Sequence, residues 1–334
     1  MALKFSLHYT LQSRGRWDVV YHDFLKEVRL AERLGFSAVY VGEHHFSEDG
    51  WSPAPFLALA SASAVSRSLR LGTNIIVLPL HNPFEIAEQT SVLDNISGGR
   101  AILGVGLGYR PEEFAAFGRD VKKRAQLYEE NLRAVKALLE GQPVKAGEFM
   151  LRVYPTPVQR PRPPIWIAAK SEEAVRKAAH RGDAWIMDPV TDLRVLKRRM
   201  EAYRDELRKM GKTVSDFPLR REVFISDDED EIEKARELML ESYREDYYRC
   251  GHLQDSEGRE IDPNRVSYDE IKQSVLERMI IGRPDEAIGA IEKYVKELGI
   301  TELMIKLSFP GKDHRMRVHS MRVISEKVMP YFRG

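Results

Sequence analysis

Short apolar runs rich in β-branched residues recur along the chain, and most are followed by a longer stretch in which apolar side chains return every three or four positions. The runs fall at residues 3–9 (LKFSLHY), 38–42, 70–78, 100–106, 164–169, 184–187, 220–225 and 302–307. The intervening stretches carry helical stripes such as Phe24, Val28, Ala31 and Leu34, or Leu127, Leu132, Val135, Leu138 and Leu139. This alternation predicts parallel β/α units, and eight of them close into an α/β fold of the (β/α)8 TIM barrel type with insertions, a single domain over residues 1–334. An open doubly wound sheet is the competing architecture, but it usually shows a glycine-rich turn after its first strand, and none follows residues 3–9. Gly104, Gly106 and Gly108 only begin a G-x-G-x-x-G pattern, because position 111 is Pro.

Two stretches exceed ordinary connections. Residues 141–163 are dense in proline, which predicts a hairpin and then an extended approach to the fifth strand. Residues 227–283 form a long insertion that opens on the acidic run DDEDE, continues helically and reaches the polar stretch 251–265, a candidate active-site lid. The acidic run itself reads as a solvated helix start, where the macrodipole favours negative charge.

Composition narrows the function classes. Lys and Arg number 52 against 51 Asp and Glu, so no global field favours nucleic acid or an anionic membrane surface. The single cysteine, Cys250, excludes an internal disulfide and a multi-thiolate metal site, which makes a cytoplasmic setting the expectation. The beginning, MALKFSLHYTL, lacks a basic leader with a long apolar stretch, and no run reaches the ~18 apolar residues that span a bilayer.

Barrels of this kind place their chemistry at the C-terminal ends of the strands. That rule selects Leu7, His8 and Tyr9, then Glu43 to Phe46, Asn74 to His81, Gly106 to Arg110, Lys170 with Ser171, and Met187 with Asp188. In Glu43-His44-His45-Phe46, imidazoles beside a carboxylate offer a general acid or base near neutral pH. Each histidine also has a simpler reading as a hydrogen-bonded packing residue. No metal site is expected, since adjacent strand-end residues point to opposite sides and no HExxH or CxxC pattern completes a shell. At Ala168-Ala169-Lys170-Ser171-Glu172-Glu173 a strand meets a helix start, with Ser171 as its N-cap. The free N–H groups there suit either an ordinary cap or a phosphate, which Lys170 and the Ser171 hydroxyl would strengthen.

In sequence the chain resembles the luciferase-like flavin monooxygenases, through AVYVGEHHF (38–46), LGTNIIVLPLHNPFEIAEQTSVLDNISGGR (71–100) and RAILGVGLGYRPEEFAAFG (100–118). Residues 165–186 and 280–305 extend the likeness over nearly the whole chain. The resemblance implies reduced flavin mononucleotide (FMN) bound at the barrel mouth, a homodimer, and a separate NAD(P)H-dependent flavin reductase. It places the catalytic histidine on His44 and a non-proline cis peptide near Asn74 and Ile75, beneath the flavin ring. Gly106, Leu107, Tyr109 and Ala168 would line the flavin, and Lys170, Ser171 and Ala174 would meet its phosphate. Bacterial luciferases carry an arginine where this chain has Leu107, a departure for which Lys170 or Arg110 would compensate. The implied chemistry is a C4a-hydroperoxyflavin that oxidises a small organic substrate in a water-free cavity. Leu7, Tyr9, His45, His81 and Met187 are the expected substrate pocket, with Leu7, Ile75, Leu107 and Met187 keeping it dry. Two alternatives stay open: a deazaflavin-dependent oxidoreductase working by hydride transfer, and a non-catalytic flavin-binding barrel.

Overall fold

The structure, a computed structural model, describes residues 2–307 and 314–333. Its strands are β1 (Lys4–Tyr9), β2 (Ala38–Val41), β3 (Arg70–Thr73), β4 (Ile76–Val77), β5 (Ala101–Gly106), β6 (Val144–Ala146), β7 (Phe149–Leu151), β8 (Ile165–Ala168), β9 (Ala184–Ile186), β10 (Pro218–Ile225), β11 (Ile280–Gly282) and β12 (Glu302–Lys306). The parallel order β10-β12-β1-β2-β3-β5-β8-β9 brings the ends of the curled sheet together. Met187, just past β9, closes it: its N–H donates to the Pro218 carbonyl at 3.0 Å and its own carbonyl accepts from the Arg220 N–H at 3.1 Å. These eight strands match the eight apolar runs of the sequence, and the single-domain α/β barrel is the fold.

Two details depart from the linear pattern. The run 70–78 is two strands, β3 and β4, separated by a cis peptide between Asn74 and Ile75. The insertion 227–283 holds two helices, Glu229–Tyr243 and Tyr268–Leu276, and the short strand β11, which extends only the far end of β10. Ile280 to Gly282 are too few to stand out as a strand. The acidic run does start a helix, with the Asp228 carboxylate accepting from the Asp230 and Glu231 N–H groups. The proline-rich segment forms the antiparallel hairpin β6–β7.

Alternation along each strand sorts side chains between two cores. Phe5, Leu7 and Tyr9 of β1 join the outer core under the helices, where Tyr9 meets Phe24 edge-on at 4.9 Å. Inside the barrel, Ala38, Tyr40, Ile102, Trp166, Ala184, Ile186 and Met304 make a plug, with Tyr40 stacked on Trp166 at 5.8 Å. Glycine is required where rings and backbone approach closely. A Cβ on Gly72 would lie 2.4 Å from the Tyr40 ring, and one on Gly104 would lie 2.1 Å from the Thr73 carbonyl oxygen. The plug seals the barrel's lower half and leaves polar inward residues, among them His8 and Arg220, beneath its mouth.

Candidate active site

At the C-terminal mouth lies a cavity of about 140 Å³, framed by His8, His44, Trp51, Tyr109, Met187 and Arg220. Asn74, Ile75 and Ala168 also face it. His44 follows β2, and its imidazole is buried. Its Nδ1–H donates to Glu113 Oε1 at 2.8 Å, and the same oxygen accepts the His45 N–H at 2.9 Å. That bond fixes the tautomer, so Nε2 presents a lone pair, to which the Tyr109 hydroxyl donates at 3.3 Å. Trp51 packs edge-on against the His44 ring at 4.6 Å. Burial holds the His44 pKa below the ordinary histidine value, although the Glu113 hydrogen bond pulls upward. The ring is therefore a neutral, oriented base with a buried carboxylate behind it, the arrangement that makes a histidine competent for proton transfer. Glu113 lies in the helix Pro111–Ala116, whose Pro and two glutamates read locally as an ordinary helix start, so its role was not visible in the sequence.

From the stretch 251–265, His252 lines this cavity. His252 stacks on Tyr109 at 4.1 Å with the rings 10° from parallel. Burial and the neighbouring Lys170 ammonium push the His252 pKa down to about 3, so the ring is neutral. Lys170 donates to the His252 carbonyl and approaches its Nδ1 at 3.4 Å. It thus faces His252 and is absent from the cavity walls at the adjoining helix start.

That helix start opens a second cavity of about 170 Å³, lined by Leu107, Ala168, Ala169, Ser171, Ala174, Lys177 and Arg181 among others. The two cavities share Ala168. Ser171 caps the helix Glu172–Arg181, its Oγ accepting from the Ala174 N–H at 3.2 Å. Gly106 stands beneath Ile75, close enough that a Cβ would lie 2.8 Å from Ile75 Cδ1.

Several expected pocket residues lie elsewhere. Leu7 and Tyr9 pack outside the barrel, because the inward positions of β1 are Ser6 and His8; the expectation was off by one residue of strand parity. His45 and His81 turn with Glu43 toward a separate groove of about 830 Å³ beside the helices Pro55–Val65 and Pro83–Ser97. There Glu43 Oε1 accepts from His45 Nε2 at 3.0 Å and His81 Nε2 at 2.6 Å, while Oε2 accepts the Val77 N–H. Burial alone would raise the Glu43 pKa, but these hydrogen bonds bring it down to about 2. The His81 pKa moves the other way: burial opposes the charged ring, and the Glu43 hydrogen bond and charge outweigh it. The ligand atoms of Glu43, His45 and His81 lie within 4.8 Å of one another, a set of the kind that holds a metal ion; the sequence reading did not foresee His81 joining the pair. The carboxylate is already satisfied by three donors, which explains its burial without an ion. The larger groove is flanked by the outward side chains Leu57, Val92 and Ile96, whereas the smaller cavity holds the oriented base.

The parallel barrel thus gathers a carboxylate-backed histidine, a small cavity and a capped helix start at the ends of its strands. The chain belongs to the luciferase-like monooxygenase family, whose model matches residues 2–302. It is an oxidoreductase of that family. An uncharacterised protein of Sinorhizobium fredii is 37% identical over 192 residues, 56% of this chain and 55% of that protein. The oxygenase component of a flavin-dependent trigonelline monooxygenase from Acinetobacter baylyi is 26% identical, across 94% of this chain and 90% of its own length. Among solved structures, a monooxygenase from Streptomyces bottropensis superposes with a TM-score of 0.83 at 24% identity, covering 99% of this chain and all of the other. The oxygenating constituent of 3,6-diketocamphane monooxygenase from Pseudomonas putida, in complex with FMN, gives 0.79 at 20% identity and 99% of both chains. An F420-dependent secondary alcohol dehydrogenase gives 0.75 at 19% identity over the full length of both. No helix among the described residues is long and apolar enough to cross a membrane.

Proposed function

We propose that this chain is the oxygenase component of a two-component flavin monooxygenase, taking reduced FMN from a separate NAD(P)H-dependent reductase and using oxygen to oxidise a small organic substrate. The observation that carries this reading is the neutral His44, held by Glu113 with Nε2 toward a small cavity. A site that merely stored flavin has no need of a base oriented in this way.

The residues present suit FMN. The capped start of the helix Glu172–Arg181 offers N–H groups and the Ser171 hydroxyl to a phosphate, beside Lys177 and Arg181, which are paired with Glu173 and Glu129 of the same cavity. Ala168 and Ala174 keep its approach open, and the path continues past Ala168 to the floor at Asn74 and Ile75. Leu107 lines the phosphate end without charge, and a phosphate there would compete with Glu129 for the Arg181 guanidinium. Reduced flavin, when bound, supplies the electrons that activate oxygen. The chain's own part would be to hold the flavin with Asn74 and Ile75 among the lining residues, to exclude water with the Tyr109–His252 stack, and to move a proton at His44 Nε2. The Tyr109 hydroxyl, whose pKa burial raises, stays protonated and donates into the same point. The proposal includes a homodimer.

The test mixes the purified protein with photoreduced FMN and oxygen, and measures oxygen consumption and released hydrogen peroxide. Rapid oxygen consumption with peroxide held back supports the reading. Turnover with reduced deazaflavin under anaerobic conditions, and none with FMN, would replace it with hydride transfer.

A further inference from the structure

The inner end of the mouth cavity is finished in polar groups that the proposed proton transfer does not use. Arg220, on the inward face of β10, is nine-tenths buried and is the one cationic side chain framing the cavity among the described residues. Its Nη2 donates to Glu222 Oε1 at 2.9 Å and to the Tyr247 hydroxyl at 2.6 Å, but its Nε is buried without a partner. Trp51 is 4% exposed and faces the same cavity, and its Nε1–H is also buried without a partner. His8 completes the floor: its Nε2–H donates to the Asn74 carbonyl at 2.9 Å, and burial and the Arg220 charge keep the ring neutral. Buried donors left unpaired are costly, and both of these belong to side chains that line one cavity, where an acceptor would relieve them.

The carboxylates that line the cavity are already engaged. Asp188 accepts from Thr191 Oγ1 at 2.9 and 2.8 Å and from the Val190 N–H at 3.0 Å. Glu43 is spent on His45, His81 and Val77, as described above. Glu222 lies behind Arg220, outside the cavity wall. Two further cations stand over the Trp51 ring, the Lys306 ammonium at 5.1 Å and the Arg110 guanidinium at 5.6 Å from its centre, the ammonium lying 3.6 Å from the Asp246 carboxylate. The remaining walls combine the flat rings of His44, Tyr109, Tyr247 and His252 with aliphatic side chains such as Ile75, Ile186, Met187 and Val190.

We propose that Arg220 and Trp51 form an oxygen-binding seat, and that the substrate oxidised here is a planar, aromatic carboxylate whose anionic group docks in it. The substrate assignment rests on the monooxygenase reading, whereas the seat itself does not. A carboxylate is the acceptor that an always-charged guanidinium rewards most strongly. Seated there, it would hold the ring of the substrate against the aromatic walls and beneath His44.

The experiment uses benzoate as probe, with benzamide as its uncharged isostere, on the full chain without flavin, read by isothermal titration. Arg220→Gln alone would leave Glu222 buried and unpaired, so the informative variant is Arg220→Gln with Glu222→Gln. Trp51→Phe removes only the indole donor. Wild type is expected to prefer benzoate to benzamide by about 10-fold or more, and the double variant to lose about 10-fold to 100-fold of benzoate affinity with benzamide little changed. Trp51→Phe should cost about 2-fold to 10-fold. Equal affinity for the two probes in the wild type would overturn the proposal, as would unchanged benzoate affinity in a double variant whose circular dichroism is intact. A double variant that keeps benzoate but loses FMN affinity would also overturn it, assigning Arg220 to the flavin. Benzoate preference in a protein that fails to consume oxygen with reduced FMN would sustain the seat and defeat the monooxygenase reading, so the two failures are separable.

Discussion

Replacing Glu113 by Gln isolates the group behind His44 while keeping its shape. The carboxylate oxygen accepts two donors, His44 Nδ1–H at 2.8 Å and the His45 N–H at 2.9 Å, with the side chain fully buried. A carboxamide oxygen in the same place retains the geometry and loses the charge. Because hydrogen bonds to charged groups contribute about 1.5–3 kcal/mol and neutral ones about 1, the expected cost in stability is about 1–3 kcal/mol. In a chain of this size, with an unfolding entropy of about 0.7 kcal/mol/K, that lowers Tm by about 1–4 °C. The effect on turnover is larger. Glu113 raises the His44 pKa against burial, so its loss leaves Nε2 a weaker base and frees the ring to adopt the other tautomer. Product formation should fall by about 10²-fold to 10⁴-fold, with FMN affinity nearly intact. The acid limb of the rate profile should move to lower pH. His44→Ala should give a similar loss, and the double variant should be no worse than His44→Ala alone, since the two act as one unit. The assay is coupled product formation at saturating reduced FMN, beside thermal melting. A folded Glu113→Gln enzyme with turnover within about three-fold of wild type would refute the dyad.

At the phosphate end, Arg181→Ala and Ser171→Ala should each lower the preference for FMN over riboflavin by about 3-fold to 10-fold, measured by fluorescence quenching; an unchanged ratio would show that the helix is merely capped. Beside the mouth cavity, Lys170→Met removes the donor to the His252 carbonyl, and hydrogen exchange across 251–262 should accelerate; equal protection would show that the segment is held without it. Acid should destabilise the protein, because His8, His44 and His252 are held neutral in the fold while unfolded histidine binds a proton below about pH 6.5. Each contributes a slope of up to about 1.4 kcal/mol per pH unit as pH falls from there toward its folded value, so His252→Asn should flatten the acid limb of Tm against pH. His81 has the opposite sign: its raised pKa gives stability that is full below about pH 6.5 and lost as pH rises through the folded value, so His81→Gln should cost more at pH 6 than at pH 9.

Local pattern carried the architecture. Strands and amphipathic helices repeat with periods of two and about three and a half, and those periods are written in neighbouring residues, so the barrel and its strand order were legible. The position of His44 at the mouth followed from strand order alone, and so did the placing of Ser171 at a helix start. Even the parity of β1 left a trace, since the polar Ser6 and His8 alternate with Phe5, Leu7 and Tyr9 of the outer core, and His8 is the one that lines the mouth cavity. Residues far apart in the chain were a different matter. Glu113 reaches His44 across 69 positions, His81 reaches Glu43 across 38, and Lys170 reaches His252 across 82. Nothing in the residues around Glu113 separates a glutamate that favours a helix dipole from one that orients an imidazole. Arg220 and Trp51 come together in the same way, one on a strand facing inward and one on a loop, and each looks ordinary beside its neighbours. Closing the barrel is the physical act that joins them: it sets the strand ends around one small volume, removes water from it, and turns scattered polar side chains into a single electrostatic environment.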